Sequence, residues 1–254
     1  MRKDLNISFN LNHFYYHNDN YEWTNEMPYF WFSFFKIDGT SCKFNENLEL
    51  EGTPTIYNPF NKIIGINNIE ADKQDIIQIP KELGREEFTL TPISVPDFVK
   101  KTNIHDMESY IGCIVVLMNE DCALNDEKNI YAKILQATSQ KYLNELIPLL
   151  NENQTIIDEH LIKLKENIEI NIKTESKKNQ SFWKRLTTEN IINTTIWTFS
   201  SDELKSLRSA SLAKYWGTEG IWELSGKVKV KENQTIKTKI SEMKSRKKHQ
   251  ISVH

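Results

Sequence analysis

Residues 5–16, LNISFNLNHFYY, alternate: Leu5, Ile7, Phe9 and Leu11 fall on one face, Asn6, Ser8, Asn10 and Asn12 on the other. Period two with one wet face predicts a half-buried strand. Residues 28–39, PYFWFSFFKIDG, follow a different pattern. Phe30, Phe32 and Phe34 share one face, while Tyr29, Trp31, Phe35 and Ile37 share the other. Such a strand needs cover on both sides, because each large apolar side chain left in water forfeits roughly 1.5–3 kcal/mol. YIGCIVVLM at 110–118 is built the same way. Pro28 cannot donate to a ladder, so the strand is predicted from Tyr29 to Ile37, with a turn at IDGT.

The period changes after Asp126. Ile130, Ile134, Ala137, Leu143, Leu146 and Ile147 recur at helical spacing, and so do Ile157, Leu161, Leu164, Ile168 and Ile172. Two amphipathic helices joined by NENQ make a helical hairpin over about 126–172. Residues 40–75 read as loops with short β pieces, and IIQIP and FTLTPISV as short strands. Farther on, INTTIWTF predicts a strand, SSDELKSLRSASLAKYW a helix with a Ser/Asp start, and GIWELSGKVKV a closing strand. In that last strand Trp222, Leu224, Val228 and Val230 point in, and Glu223, Lys227 and Lys229 point out. The expected fold is α+β, mainly an antiparallel β-sandwich with an inserted amphipathic helical hairpin. One domain spans 1–230, and 231–254 form a basic, flexible tail. The doubly apolar strand at 28–37 would meet a second sheet on one face and the hairpin on the other.

Composition narrows the classes. With 39% hydrophobic and 26% charged residues among 254, the chain reads as globular. It has no apolar run long enough for a membrane span and no signal-peptide core at MRKDLNISFN. The expected location is cytoplasmic, or outside the cell by export without a cleavable signal peptide. Cys42, Cys113 and Cys122 are odd in number and lack CxxC spacing, which predicts free thiols. The formal charge of −3 is unevenly spread: from Lys231 to His254 seven Lys/Arg face two acids. The tail therefore carries about +5 and residues 1–230 about −8.

PYFWFSFFKIDG, IGCIVVLMNED and YWGTEGIWELSGKV together resemble the landmarks of a group of bacterial β-rich proteins. These carry FFKIDG-like, VVLMxED-like and EGxWExSG-like segments in this order. The resemblance spans about residues 25–230 and implies a β-rich bacterial domain. It carries over no catalytic residue.

The candidate chemistry is acidic at one place and basic at another. Asp19, Glu22 and Glu26 precede the aromatic strand, Asp38 ends it, and Glu120, Asp121 and Asp126 follow the second doubly apolar strand. Calcium takes roughly six to eight oxygens from such groups, so loops sharing one end of a sandwich would form a calcium site. The competing reading is solvated turn residues, with Asp126 favouring the positive start of the following helix. His160 lies in a helix without the HExxH pattern, and neither GxSxG nor a phosphate-binding glycine loop occurs. In the tail, Lys244, Arg246, Lys247 and Lys248 suit phosphates or anionic headgroups.

These features favour a non-enzymatic binding or assembly protein, calcium-assisted, whose basic tail meets a protein or an anionic membrane surface. Nucleic acid fits less well because the body is acidic; a homo-oligomer is a further expectation. Two other classes remain open to test: a membrane-active effector or pore-forming toxin using the helical hairpin, and a hydrolase whose site assembles only in three dimensions.

Overall fold

The computed structural model describes residues 3–17, 28–57, 64–65, 76–100, 106–119, 125–153, 156, 158–178, 191–217 and 221–231. The strands are β1 (Leu5–His17), β2 (Pro28–Ile37), β3 (Cys42–Phe44), β4 (Leu50–Gly52), β5 (Thr55–Tyr57), β6 (Ile64–Gly65), β7 (Ile76–Gln78), β8 (Arg85–Leu90), β9 (Tyr110–Asn119), β10 (Ile191–Ser200), β11 (Ser209–Gly217) and β12 (Ile221–Val230). The helices are α1 (Lys81–Gly84), α2 (Asp97–Lys100), α3 (Asn125–Asn153), α4 (Asp158–Lys178) and α5 (Ser201–Leu207).

Two five-stranded antiparallel sheets form the frame. The first runs β11-β12-β1-β7, with β8 also paired to β1. Strands β7 and β8 lie along different stretches of β1, His13–Tyr15 and Leu5–Asn10, with α1 between them in the chain. The second sheet runs β10-β9-β2-β5, with β6 also on β2; β3 and β4 make a separate hairpin.

The two faces of β2 enter two different cores. Phe32 and Phe34 join Ile7, Phe9, Leu11 and Phe14 of β1, Ile111, Cys113, Val115 and Leu117 of β9, and Leu224 and Val228 of β12. Both sheets thus contribute to one cluster, in which the Phe9 and Phe34 rings meet edge to face at 5.3 Å. Trp31, Phe35 and Ile37 point the opposite way, into a cluster with Ile114 and Val116 of β9, Leu143, Leu146, Ile147 and Leu150 of α3, and Leu164 and Ile168 of α4. The double apolar pattern exists because β2 and β9 are central strands between the first sheet and the helix pair. Gly112 is a point of close approach within the second sheet: a Cβ there would lie 2.3 Å from Phe35 Cζ and 2.5 Å from the Trp197 carbonyl oxygen.

Helices α3 and α4 stand where the helical periods predict and pack on each other. Leu143, Leu146 and Ile147 of the expected α3 stripe are buried; nearer the helix start the stripe differs, with Leu135, Thr138 and Ser139 buried and Ala137 exposed. Among the described residues, no helix is long and apolar enough to cross a membrane.

The segment 200–216 corrects the sequence reading. The helix starts as predicted, with the Ser200 hydroxyl accepting from the Glu203 backbone N–H, but it ends at Leu207. Arg208 takes a left-handed conformation at φ 60°, and the chain turns into β11 beside β12. The reason is a second period inside the same stretch: Ala210, Leu212 and Trp216 keep one parity, and Leu212 and Trp216 are buried in the inter-sheet cluster. That burial outweighs the helical propensity of SLAK.

Candidate functional site

The most concentrated buried chemistry sits where β2 ends. Lys36 shares the parity of Phe32 and Phe34, so its side chain runs inward, and Asp38 is fully buried two residues on. The Lys36 Nζ donates to Asp38 Oδ2 at 2.9 Å, to Thr40 Oγ1 at 3.1 Å and to the Thr89 carbonyl at 3.3 Å. Asp38 Oδ2 also accepts the Thr91 backbone N–H at 3.1 Å, while Oδ1 accepts the Thr40 N–H at 3.1 Å and the Thr40 hydroxyl at 2.6 Å. A carboxylate offers about four lone-pair sites, and four donors occupy them. The node ties β2 of the second sheet to the end of β8 in the first. A second clasp stands beside it: the Ser109 hydroxyl donates to the Thr91 carbonyl at 2.6 Å, and the Ser201 N–H to the Ser109 carbonyl at 2.7 Å.

Of the predicted acidic ligands, the register bears on Asp38. Strand β2 pairs with β9 from Pro28↔Asn119 to Ile37↔Tyr110. Asp38 follows Ile37, whereas Glu26 and Glu120 are tied by one or two peptide units to Pro28 and Asn119. At about 3.4 Å per residue the Pro28–Asn119 and Ile37–Tyr110 ends of this pairing are some 30 Å apart, and Asp38 stands beside the Ile37 end. Asp19, Glu22, Glu26, Glu120 and Asp121 lie outside the described residues; Asp126 falls in the first turn of α3, and its side chain also lies outside them. Among the described residues, no three His, Cys, Asp or Glu side chains gather as a metal would require.

The described thiols are free, as their number and spacing predict, and poor nucleophiles. Cys113 is fully buried in the inter-sheet cluster, and burial pushes its pKa well above the ordinary 9.0. Burial also raises Cys42, with the nearby Asp38 charge adding to the effect against a hydrogen bond from Ser41.

A basic patch lies on the outer face of the first sheet. Opposite parity to the buried residues puts Asn6, Ser8 and Asn10 of β1, Lys227 and Lys229 of β12, Ser209 and Ser211 of β11, and Arg85 and Glu87 of β8 on that face. Ser211, Lys227, Asn10 and Arg85 form one cross-strand row, and Ser209, Lys229, Ser8 and Glu87 the next. Lys231 extends the patch, its N–H donating to the Asn6 carbonyl at 2.7 Å. Glu87 is held by Lys231 and by Arg85, each at 2.5 Å, and these two bonds keep its carboxyl below the ordinary value. Lys227 and Lys229 have no carboxylate within salt-bridge distance among the described residues.

The outward direction of Lys227 and Lys229 was legible in GKVKVK. Their grouping with Arg85 was not, because it depends on β8 pairing with the far side of β1. Lys244, Arg246, Lys247 and Lys248 lie outside the described residues. Comparison with family models, curated proteins and solved structures finds no match.

Proposed function

We propose that this chain is a non-enzymatic binding protein that meets a polyanionic partner through the basic end of its first sheet together with the segment that follows. In this reading the two five-stranded sheets form a face-to-face β-sandwich, in keeping with the β-rich bacterial group that the sequence resembles. Its buried ionic groups serve the frame. The observation that carries the proposal is continuity of charge: Lys227 and Lys229 share the outer face of β12, Lys231 follows its last residue, and the sequence continues with Lys237, Lys239, Lys244, Arg246, Lys247 and Lys248. The Lys36–Asp38 pair supports the same reading, since its donors and acceptors are spent on each other and on the backbone.

The test is retention on immobilised heparin as salt rises. Lys244→Gln, Arg246→Gln, Lys247→Gln and Lys248→Gln together should bring elution to lower salt, because each cation removed takes away one counterion-releasing contact. A chain that is not retained, or whose elution the four changes leave in place, would sink the proposal.

A further inference from the structure

We infer that the outer face of the first sheet docks on an anionic lipid bilayer, with Lys227, Lys229, Lys231 and Arg85 at the headgroups. The inference rests on the polyanion-binding reading and names its partner.

The patch has the form of a plane. Lys227 and Lys229 lie on β12 and Arg85 on β8, with β1 between them, so the cations are spread over about 10 Å across strands as well as along one. The side chains around them are short: Asn6, Ser8, Asn10, Ser209 and Ser211. Among the described residues, the patch around these cations carries no large apolar anchor of the kind that centres a protein interface. What stands proud is lysine and arginine, which suits a flat layer of phosphate and carboxylate headgroups. Farther along the same face Tyr215 is 59% exposed, opposite Glu223. A phenol in that position suits the interfacial region of a bilayer.

Two carboxylates lie on the basic face, Glu87 held by Lys231 and Arg85 and Glu223 opposite Tyr215, while a larger group of described acids stands away from it. Glu46, Glu49 and Glu51 are exposed on or beside the β3–β4 hairpin, which packs on α3, and Asp158, Glu159 and Glu166 are exposed on α4. Helices and hairpin share the cluster on the far face of the second sheet. The spacing between two stacked sheets alone is about 10 Å, more than the Debye length of about 8 Å at physiological salt. These described acids are therefore screened from a surface that touches the basic face.

The experiment is flotation of the full chain with phosphatidylcholine vesicles, with and without phosphatidylserine, at physiological salt. The chain should float only with phosphatidylserine. Each lysine near such a surface contributes about five-fold in affinity, so Lys227→Gln with Lys229→Gln should weaken binding by about twenty-five-fold, and Lys227→Glu with Lys229→Glu by more. Glu49→Lys, on the opposite side, should leave binding as it was. Thermal melts confirm that each variant folds, and the paired Gln variant serves if the charge reversal does not. Loss with the four tail substitutions but not with those at Lys227 and Lys229 would overturn the docking face and leave the polyanion reading standing. Heparin retention without flotation, or displacement from vesicles by duplex DNA at matched charge, would overturn the bilayer as partner.

Discussion

Lys36 Nζ and Asp38 Oδ2 meet at 2.9 Å inside the protein, with the lysine side chain 9% exposed and the aspartate side chain fully buried. Neither charge has water to fall back on, so removing one leaves the other uncompensated. Asp38→Leu should lower unfolding stability by about 3–5 kcal/mol, since it also strips the Thr40 and Thr91 N–H groups of their acceptor. Lys36→Met should cost less, because Asp38 keeps three donors. In urea denaturation the double variant should fall short of the sum of the single losses by about 1–3 kcal/mol; simple additivity would show that the pair does not act as a unit.

Gly112 leaves room for the Phe35 ring of the neighbouring strand on the helix-facing side of the second sheet. Gly112→Ala puts a methyl against the Phe35 ring and the Trp197 carbonyl, and overpacking of this kind costs about 1–3 kcal/mol. Adding Phe35→Leu should restore only part of that, since the carbonyl contact stays. Calorimetry on the three variants checks it, and an unchanged melt for Gly112→Ala would contradict the packing described.

The buried thiol gives a pH prediction. Cys113 has its pKa raised well above 9.0 in the folded chain, so the unfolded chain releases this proton first as pH rises. The stability it contributes is complete below about pH 9 and is lost as pH climbs from there toward the folded value. Cys113→Ser should therefore flatten the alkaline limb of a stability-versus-pH curve. In the native protein near pH 8, Cys113 should resist alkylation under conditions that label it rapidly in urea. Fast native labelling would contradict its burial.

Arg208 carries the turn from α5 to β11 at φ 60°, a conformation that costs a non-glycine residue about 1 kcal/mol or more. Arg208→Gly should hold or raise the melting temperature, and Arg208→Val should lower it. A drop on going to glycine would mean that the Arg208 side chain supplies more than the turn.

The same turn marks where the sequence misleads. Residues 28–37 and 110–118 were legible because apolar side chains at both parities admit one solution, a central strand covered on both faces. Residues 200–216 superpose a helix start on a strand alternation, and no glycine marks the break, so the helix period claims the whole segment. The internal ion pair was missed for a different reason. Lys36 has the parity of Phe32 and Phe34 and so points into the core, where a charge must find a partner; Asp38 at the same parity was the available signal. Asp38, grouped by sequence with a cation site, has four donors on its carboxylate, two of them from Lys36 and Thr91, a pairing that chain order does not display. The basic patch was half visible, as the outward lysines of β12, and became a surface only once β8 was placed two strands away.

The most direct test of the account is the salt dependence of full-chain affinity for phosphatidylserine-containing vesicles, measured from low to physiological ionic strength. Binding through Lys227, Lys229, Lys231 and the tail predicts an affinity that falls steeply with salt, and falls less steeply once Lys227 and Lys229 are replaced by Gln. An affinity that is flat across the salt range, or a slope that the two substitutions leave unchanged, would contradict it.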